Sequence, residues 1–125
     1  MKAVKPTESE LEILKILWEY GDCTVRQVHE VFARNKEMGY TNTLKLMQIM
    51  HAKGIVSRDE SSKTHIYKAL VSRDRTEQQV LGKLINDMFD GSAARMVMQA
   101  LGNHQTSEAE IAKIKQLLTE LEKKK

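Results

Sequence analysis

Apolar side chains recur every three or four positions in three short blocks between residues 7 and 53, and each block opens on a threonine. In the first, Thr7 with Glu10 makes a capping box, Leu11, Leu14, Leu17 and Trp18 follow at helical spacing, and Gly21 stops the helix. In the second, Thr24 and Gln27 make another box, Val25, Val28, Val31 and Phe32 face inward, and the helix frays near Asn35. In the third, Thr41 caps a helix in which Thr43, Leu46, Met47 and Met50 share one face, leaving Thr41, Lys45, Gln48 and Ala52 outward. Gly54 after Lys53 ends it. The period then drops to two: Ile55 and Val56, a polar turn around Ser61 and Ser62, and Ile66 and Tyr67 before Ala69 predict a hairpin.

Past Val71 the pattern returns to helices. From about Arg73 to Asp90, Val80, Leu81, Leu84, Ile85, Met88 and Phe89 form one continuous stripe, and Gly91-Ser92 ends that helix and caps the next, Ala93 to Leu101. Ser107 with Glu110 opens a final helix carrying Ile111, Ile114, Leu117, Leu118 and Leu121 on one side, followed by a lysine tail. Three helices with apolar stripes and no sheet to cover them must bury those stripes against something. One compact monomeric core satisfies that, and so does a second copy of the chain.

Composition narrows the class. The chain has 125 residues, 41% hydrophobic and 30% charged with one proline, which describes a soluble, helix-rich protein. No run approaches the roughly 20 apolar residues of a membrane span, and MKAVKPTESE lacks the apolar core of a signal peptide, so no membrane insertion and a cytoplasmic location are expected. Cys23 is the single cysteine and has no partner for an internal disulfide, which suits a reducing compartment. The net charge of +3 is mild, but it is unevenly placed: eight cations against four acids give Arg26 to Lys68 a charge of +4, leaving −1 for the rest.

Catalytic and metal chemistry find no foothold. His29, His51, His65 and His104 are scattered without ligand spacing, no glycine-rich phosphate loop is present, and no nucleophile–base set sits at a recognisable elbow; no enzyme, metal or cofactor is expected. Cys23, ahead of a helix, reads as a small packed residue rather than an activated thiol, and the seven methionines read as core filler.

Three short helices followed by a two-stranded ribbon is the order of a winged helix-turn-helix, in which the third helix enters the DNA major groove and the hairpin lies on the backbone. The predicted fold is mainly α: a winged helix-turn-helix of three helices plus a hairpin wing over residues 1–71, then a three-helix dimerisation domain over residues 72–125. Thr41, Asn42, Thr43, Lys45 and Gln48 on the third helix, with Arg58, Lys63 and His65 on the wing, are the candidate contacts to a double-stranded operator. Leu81, Leu84, Ile85, Met88, Ile114, Leu117, Leu118 and Leu121 are the candidate homodimer contacts. The competing reading is a winged-helix module whose third helix meets protein, for which Leu44 and Ile49 would supply apolar contact.

Tyr40-Thr41 opening the third helix, Leu46, Met50, the Lys53-Gly54 exit, the wing ending in Tyr67 and the stretch SAARMVMQALGNHQTSEAEI together resemble the penicillinase-repressor family, the BlaI, MecI and CopY group, over nearly the whole chain. The resemblance implies a homodimeric winged-helix repressor with an N-terminal DNA-binding domain and a C-terminal dimerisation domain. The chain departs from the family pattern with Asn42 and Thr43 where a threonine and a valine are common, and with Ile49 where an arginine is usual. It lacks the C-terminal cysteine cluster of copper-responsive members. Gln99 and Ala100 stand where beta-lactam-responsive members carry an Asn-Phe bond cut by a sensor protease, so that inducer pathway does not carry over with the resemblance; Gln99 and Ala100 stay the candidate cleavage region, and a membrane sensor protease a candidate partner, because a cut anywhere in this stretch would act as an off switch.

Overall fold

The computed structural model describes residues 6–34 and 37–124. The fraying expected near Asn35, and Lys36 among the cations, lie outside the described residues. By contact the chain divides into two compact units, Met1–Gly82 and Lys83–Lys125.

The first unit opens with α1 (Glu8–Tyr20), β1 (Cys23–Thr24), α2 (Val25–Phe32) and α3 (Tyr40–Lys53), followed by β2 (Val56–Asp59) and β3 (Ile66–Ala69). Both threonine capping boxes form as their spacing requires: Thr7 with Glu10, and Thr24 with Gln27. The start of α3 differs from expectation. Thr41 does not cap it; Gly39 holds the N-cap position with no side-chain bond, and its carbonyl accepts from the Asn42 and Thr43 amides. The helix therefore begins one residue before Thr41. Its end is a Schellman arrangement: Gly54 takes left-handed backbone at φ 81°, its amide bonds the His51 carbonyl, and the Ile55 amide bonds the Met50 carbonyl. Met50 and Ile55 are both buried, so this cap is sealed by an apolar contact.

The core is built from Ile13, Leu14 and Leu17 of α1, Val28 and Phe32 of α2, Met47 and Met50 of α3, and Ile55, Val56 and Tyr67 of the wing. Leu11 and Trp18, expected inward, are only half-buried, and Ile13 and Ile16 take the inner positions on α1. Trp18 instead uses its indole N–H to donate to the Val71 carbonyl at 3.0 Å, tying α1 to the chain beyond β3. The predicted two-stranded ribbon is a three-stranded antiparallel sheet in the order β1-β3-β2. Cys23 pairs with Tyr67 and Thr24 with Ile66, so the residues leading into α2 are stitched to the wing. Cys23 is buried there, and burial, then the neighbouring Asp22 charge, push its thiol above the usual range, which suits a packing residue and not a nucleophile.

One buried charge joins the ends of α1 and α3. Glu10 is 1% exposed, accepts from the Thr7 amide through Oε1, and receives Lys53 Nζ at 2.9 Å on both carboxylate oxygens. A carboxylate out of water is costly unless each oxygen is matched, and here the capping amide and a lysine ammonium do that together.

The sequence places the division between domains at Val71; by contact, the first compact unit includes the opening turns of α4 (Arg73–Met88) as far as Gly82. Thr76 on those turns is buried, its hydroxyl donating to the Ser72 carbonyl at 2.7 Å. α4 ends at Met88, two residues short of the expected Asp90, because Asp90 (φ 51°) and Gly91 (φ 85°) take left-handed backbone. Ser92 then caps α5 (Ala93–Asn103) by accepting from the Arg95 amide. α5 runs two residues past the expected Leu101, and its final Asn103 side chain donates back to the Gln99 carbonyl at 2.9 Å. The Ser107–Glu110 box opens α6 (Glu108–Lys123) as expected.

Lys53→Met strands a buried carboxylate and should lower unfolding free energy by about 3 kcal/mol in a urea titration, the low end for a buried pair because the Lys53 side chain keeps 33% of its exposure. The Glu10→Gln, Lys53→Met double variant should lose less than the two single losses combined. Additive losses would mean that the ion pair couples nothing.

Candidate nucleic-acid interface

A cleft of about 430 Å³ lies between α2, α3 and the wing, bordered by Tyr40, Leu44 and Gln48 from α3 and by Arg58, Lys63, Thr64 and His65 from the wing. The structure thus brings together four of the sequence-predicted residues: Gln48, Arg58, Lys63 and His65. Thr41, Asn42 and Lys45 are also exposed on α3, but none of them borders the cleft. Helical spacing puts Thr41, Lys45 and Gln48 on one side of α3 because the opposite side is spent on Thr43, Met47 and Met50, all fully buried.

Thr43 therefore leaves the set of candidate base contacts. It is 0% exposed, and its hydroxyl lies 2.8 Å from His29 Nδ1 on α2, so it locks the two helices together from inside. That hydrogen bond also gives His29 a packing role. Leu44, offered for a protein partner, is half-buried against the core, whereas Ile49 stays 39% exposed.

On the wing, Arg58 stands opposite Tyr67 in the sheet register and pairs in cis with Glu60, Nη2 to Oε2 at 2.9 Å. Hydrogen bonding to the Tyr67 side chain, then to Glu60, raises the Arg58 guanidinium above its ordinary range. The same pair, through the hydrogen bond from Arg58, lowers the Glu60 carboxyl. Asp59 is lowered as well, chiefly by the Ser61 amide donating to it at 2.9 Å, so both wing carboxylates are ionised at neutral pH. The wing is less cationic than Arg58 and Lys63 alone suggest.

Among the cleft residues that were not sequence candidates, one cation meets one aromatic ring. Arg26 on α2 and Tyr40 at the start of α3 both border the cleft, with the guanidinium 5.2 Å from the ring centroid. The signal was available only in part: Arg26 directly follows a capped helix start, but nothing local says that it faces the wing.

Comparison with known proteins bears on family and fold. The family model described as penicillinase repressor matches residues 6–120. The chain belongs to the penicillinase repressor family. Its members are transcriptional regulators and not enzymes. The penicillinase repressor of Bacillus licheniformis is 19% identical over 119 residues, spanning 95% of this chain and 93% of that protein. A structure described as the solution structure of the DNA binding domain of the repressor BlaI superposes with a TM-score of 0.52 at 15% identity, covering 58% of this chain and 90% of that one, which shows the shared winged-helix fold. Family and fold together support a DNA-binding repressor.

The members of the predicted dimer set lie as follows. Leu81, Leu84, Met88, Leu117, Leu118 and Leu121 are exposed, with Met88 at 66%; Ile85 and Ile114 are half-buried. No residue of α5 or α6 is buried, and Gln99 and Ala100 sit exposed in mid-α5. No helix among the described residues is long and apolar enough to cross a membrane.

Thr43→Val keeps the volume but removes the partner of His29 Nδ1. It should cost about 1 kcal/mol of stability in a urea titration while leaving base preference, measured by selection from random DNA, unchanged. A shift in the selected bases would return Thr43 to the reading face.

Proposed function

We propose that the chain is a homodimeric repressor that binds a palindromic operator, reading bases with the exposed face of α3 and holding the backbone with the wing. One observation carries this: Gln48, exposed on α3, and the wing side chains Lys63 and His65 border a single cleft. A helix whose inner face is locked by Thr43, Met47 and Met50 presents its outer face at a fixed angle, which base readout requires. Asn42 and Gln48 suit adenine, Thr41 and Lys45 extend the polar face, and Lys63 serves phosphate.

The dimer follows from the apolar side chains that α4, α5 and α6 leave in solvent. Exposed leucines and methionines in such number on three helices exceed what a monomeric surface normally tolerates, and a second copy meets them with an identical stripe. Joining two winged helices makes the second half-site an intramolecular event at roughly millimolar effective concentration, so operator affinity depends on the pairing of the C-terminal helices. Cleavage anywhere in the stretch around Gln99–Ala100 would then release DNA by removing α6 from the interface.

A chain ending at Gln99 should sediment mainly as monomer and bind a full palindrome orders of magnitude more weakly while keeping its half-site affinity. A truncated chain that stayed dimeric with full operator affinity would place the dimer contacts elsewhere. Gln48→Ala should relax preference at one base pair in each half-site by about 1–3 kcal/mol, read by selection from random DNA; an unaltered consensus would remove Gln48 from base readout.

A further inference from the structure

We infer that Arg26, oriented by Tyr40, is a phosphate contact that seats one DNA strand in the cleft between α2 and the wing; this rests on the DNA-binding reading above. Three cations, Arg26, Arg58 and Lys63, border that cleft and, among the described residues, no carboxylate side chain does, so its charge suits a polyanion laid against it. The three are not equivalent. Arg58 is already matched by Glu60 at 2.9 Å and held by Tyr67, so a phosphate reaching it must compete with a carboxylate. Arg26 forms no ion pair among the described residues; what holds it is the face of the Tyr40 ring at 5.2 Å.

That ring is itself fixed. His29 meets it edge-on at 5.7 Å with the planes at 76°, and His29 is in turn held by the buried Thr43 hydroxyl at 2.8 Å. The chain Thr43–His29–Tyr40–Arg26 runs from the core to the surface and delivers an unneutralised guanidinium to the rim of the cleft. A guanidinium held over an aromatic face can offer its N–H groups to two oxygens of a phosphate, and the ring contact lowers the entropy lost in using them. The contact positions the duplex and carries no base information.

The test is fluorescence anisotropy of the full chain with two duplexes, one selected from a random pool by this protein and one of random sequence, between roughly 50 and 200 mM salt. Arg26→Gln should weaken both duplexes by the same factor, roughly tenfold near 0.1 M salt, and reduce the log–log salt slope by about 0.9 per bound protomer. Arg26→Lys should keep the slope with a smaller loss of affinity, since the charge stays and the fork goes. Tyr40→Leu should also weaken both duplexes with the slope retained, the mark of a platform that orients a charge without supplying one. If Arg26→Gln leaves affinity and slope unchanged while Lys63→Ala lowers both, this inference is overturned and the DNA-binding reading stands. Loss of discrimination between the duplexes in Arg26→Gln overturns it too, by making Arg26 a base reader. A parent chain that binds neither duplex overturns both readings.

Discussion

The ion pair between Lys53 and Glu10 is the constraint on which the reading surface depends. It connects the last turn of α3 to the first turn of α1 through two 2.9 Å contacts, with the carboxylate almost wholly out of water. A buried carboxylate tolerates little displacement of its partner, so the C-terminal end of α3 is held in place with little freedom to roll. At the opposite end of the helix, the Thr43–His29 hydrogen bond ties α3 to α2. Between these two polar ties, Met47 and Met50 are soft side chains that fill space but impose little geometry of their own. The angle at which Thr41, Lys45 and Gln48 face outward is thus set from behind, by groups turned away from that face.

The same economy shapes the charge of the surface. A net +3 does little to attract DNA at long range, and the wing neutralises part of its own cationic charge through Arg58–Glu60. Affinity in such a molecule has to come from a few well-placed contacts repeated by symmetry. That gives the exposed leucines and methionines of α4, α5 and α6 their place in the proposal, since an apolar contact joining two copies would also double the phosphate contacts.

Features governed by neighbours in sequence were legible without the structure. The boxes at Thr7, Thr24 and Ser107 all form, because a threonine or serine and the glutamate or glutamine three residues on satisfy each other whatever surrounds them. The Gly54 stop is equally local. What escaped was non-local. β1 is two residues long and exists only because β3 pairs with it, so no pattern of its own could announce it. Glu10 looked like half of a cap, while the partner that makes it structural lies 43 residues away. Thr43 had the inward spacing and a polar side chain, and only the position of His29 decides that burial wins. Of the side chains that border the cleft, Gln48, Lys63 and His65 were readable from periodicity and turn chemistry; Arg26 was not, because its place depends on how α2 is hung from the sheet.

The central claim is that DNA meets one surface, formed by the outer face of α3, the wing and the cleft between them, while the face behind is fixed. Backbone amide shift mapping of the labelled chain titrated with a duplex selected from a random pool tests it residue by residue. The account predicts the largest changes at Arg26, Thr41, Asn42, Lys45, Gln48 and the 61–65 turn, with Glu10, Met47 and Met50 nearly still. Changes concentrated on α1 or on α4 to α6, with α3 and the wing quiet, would contradict it.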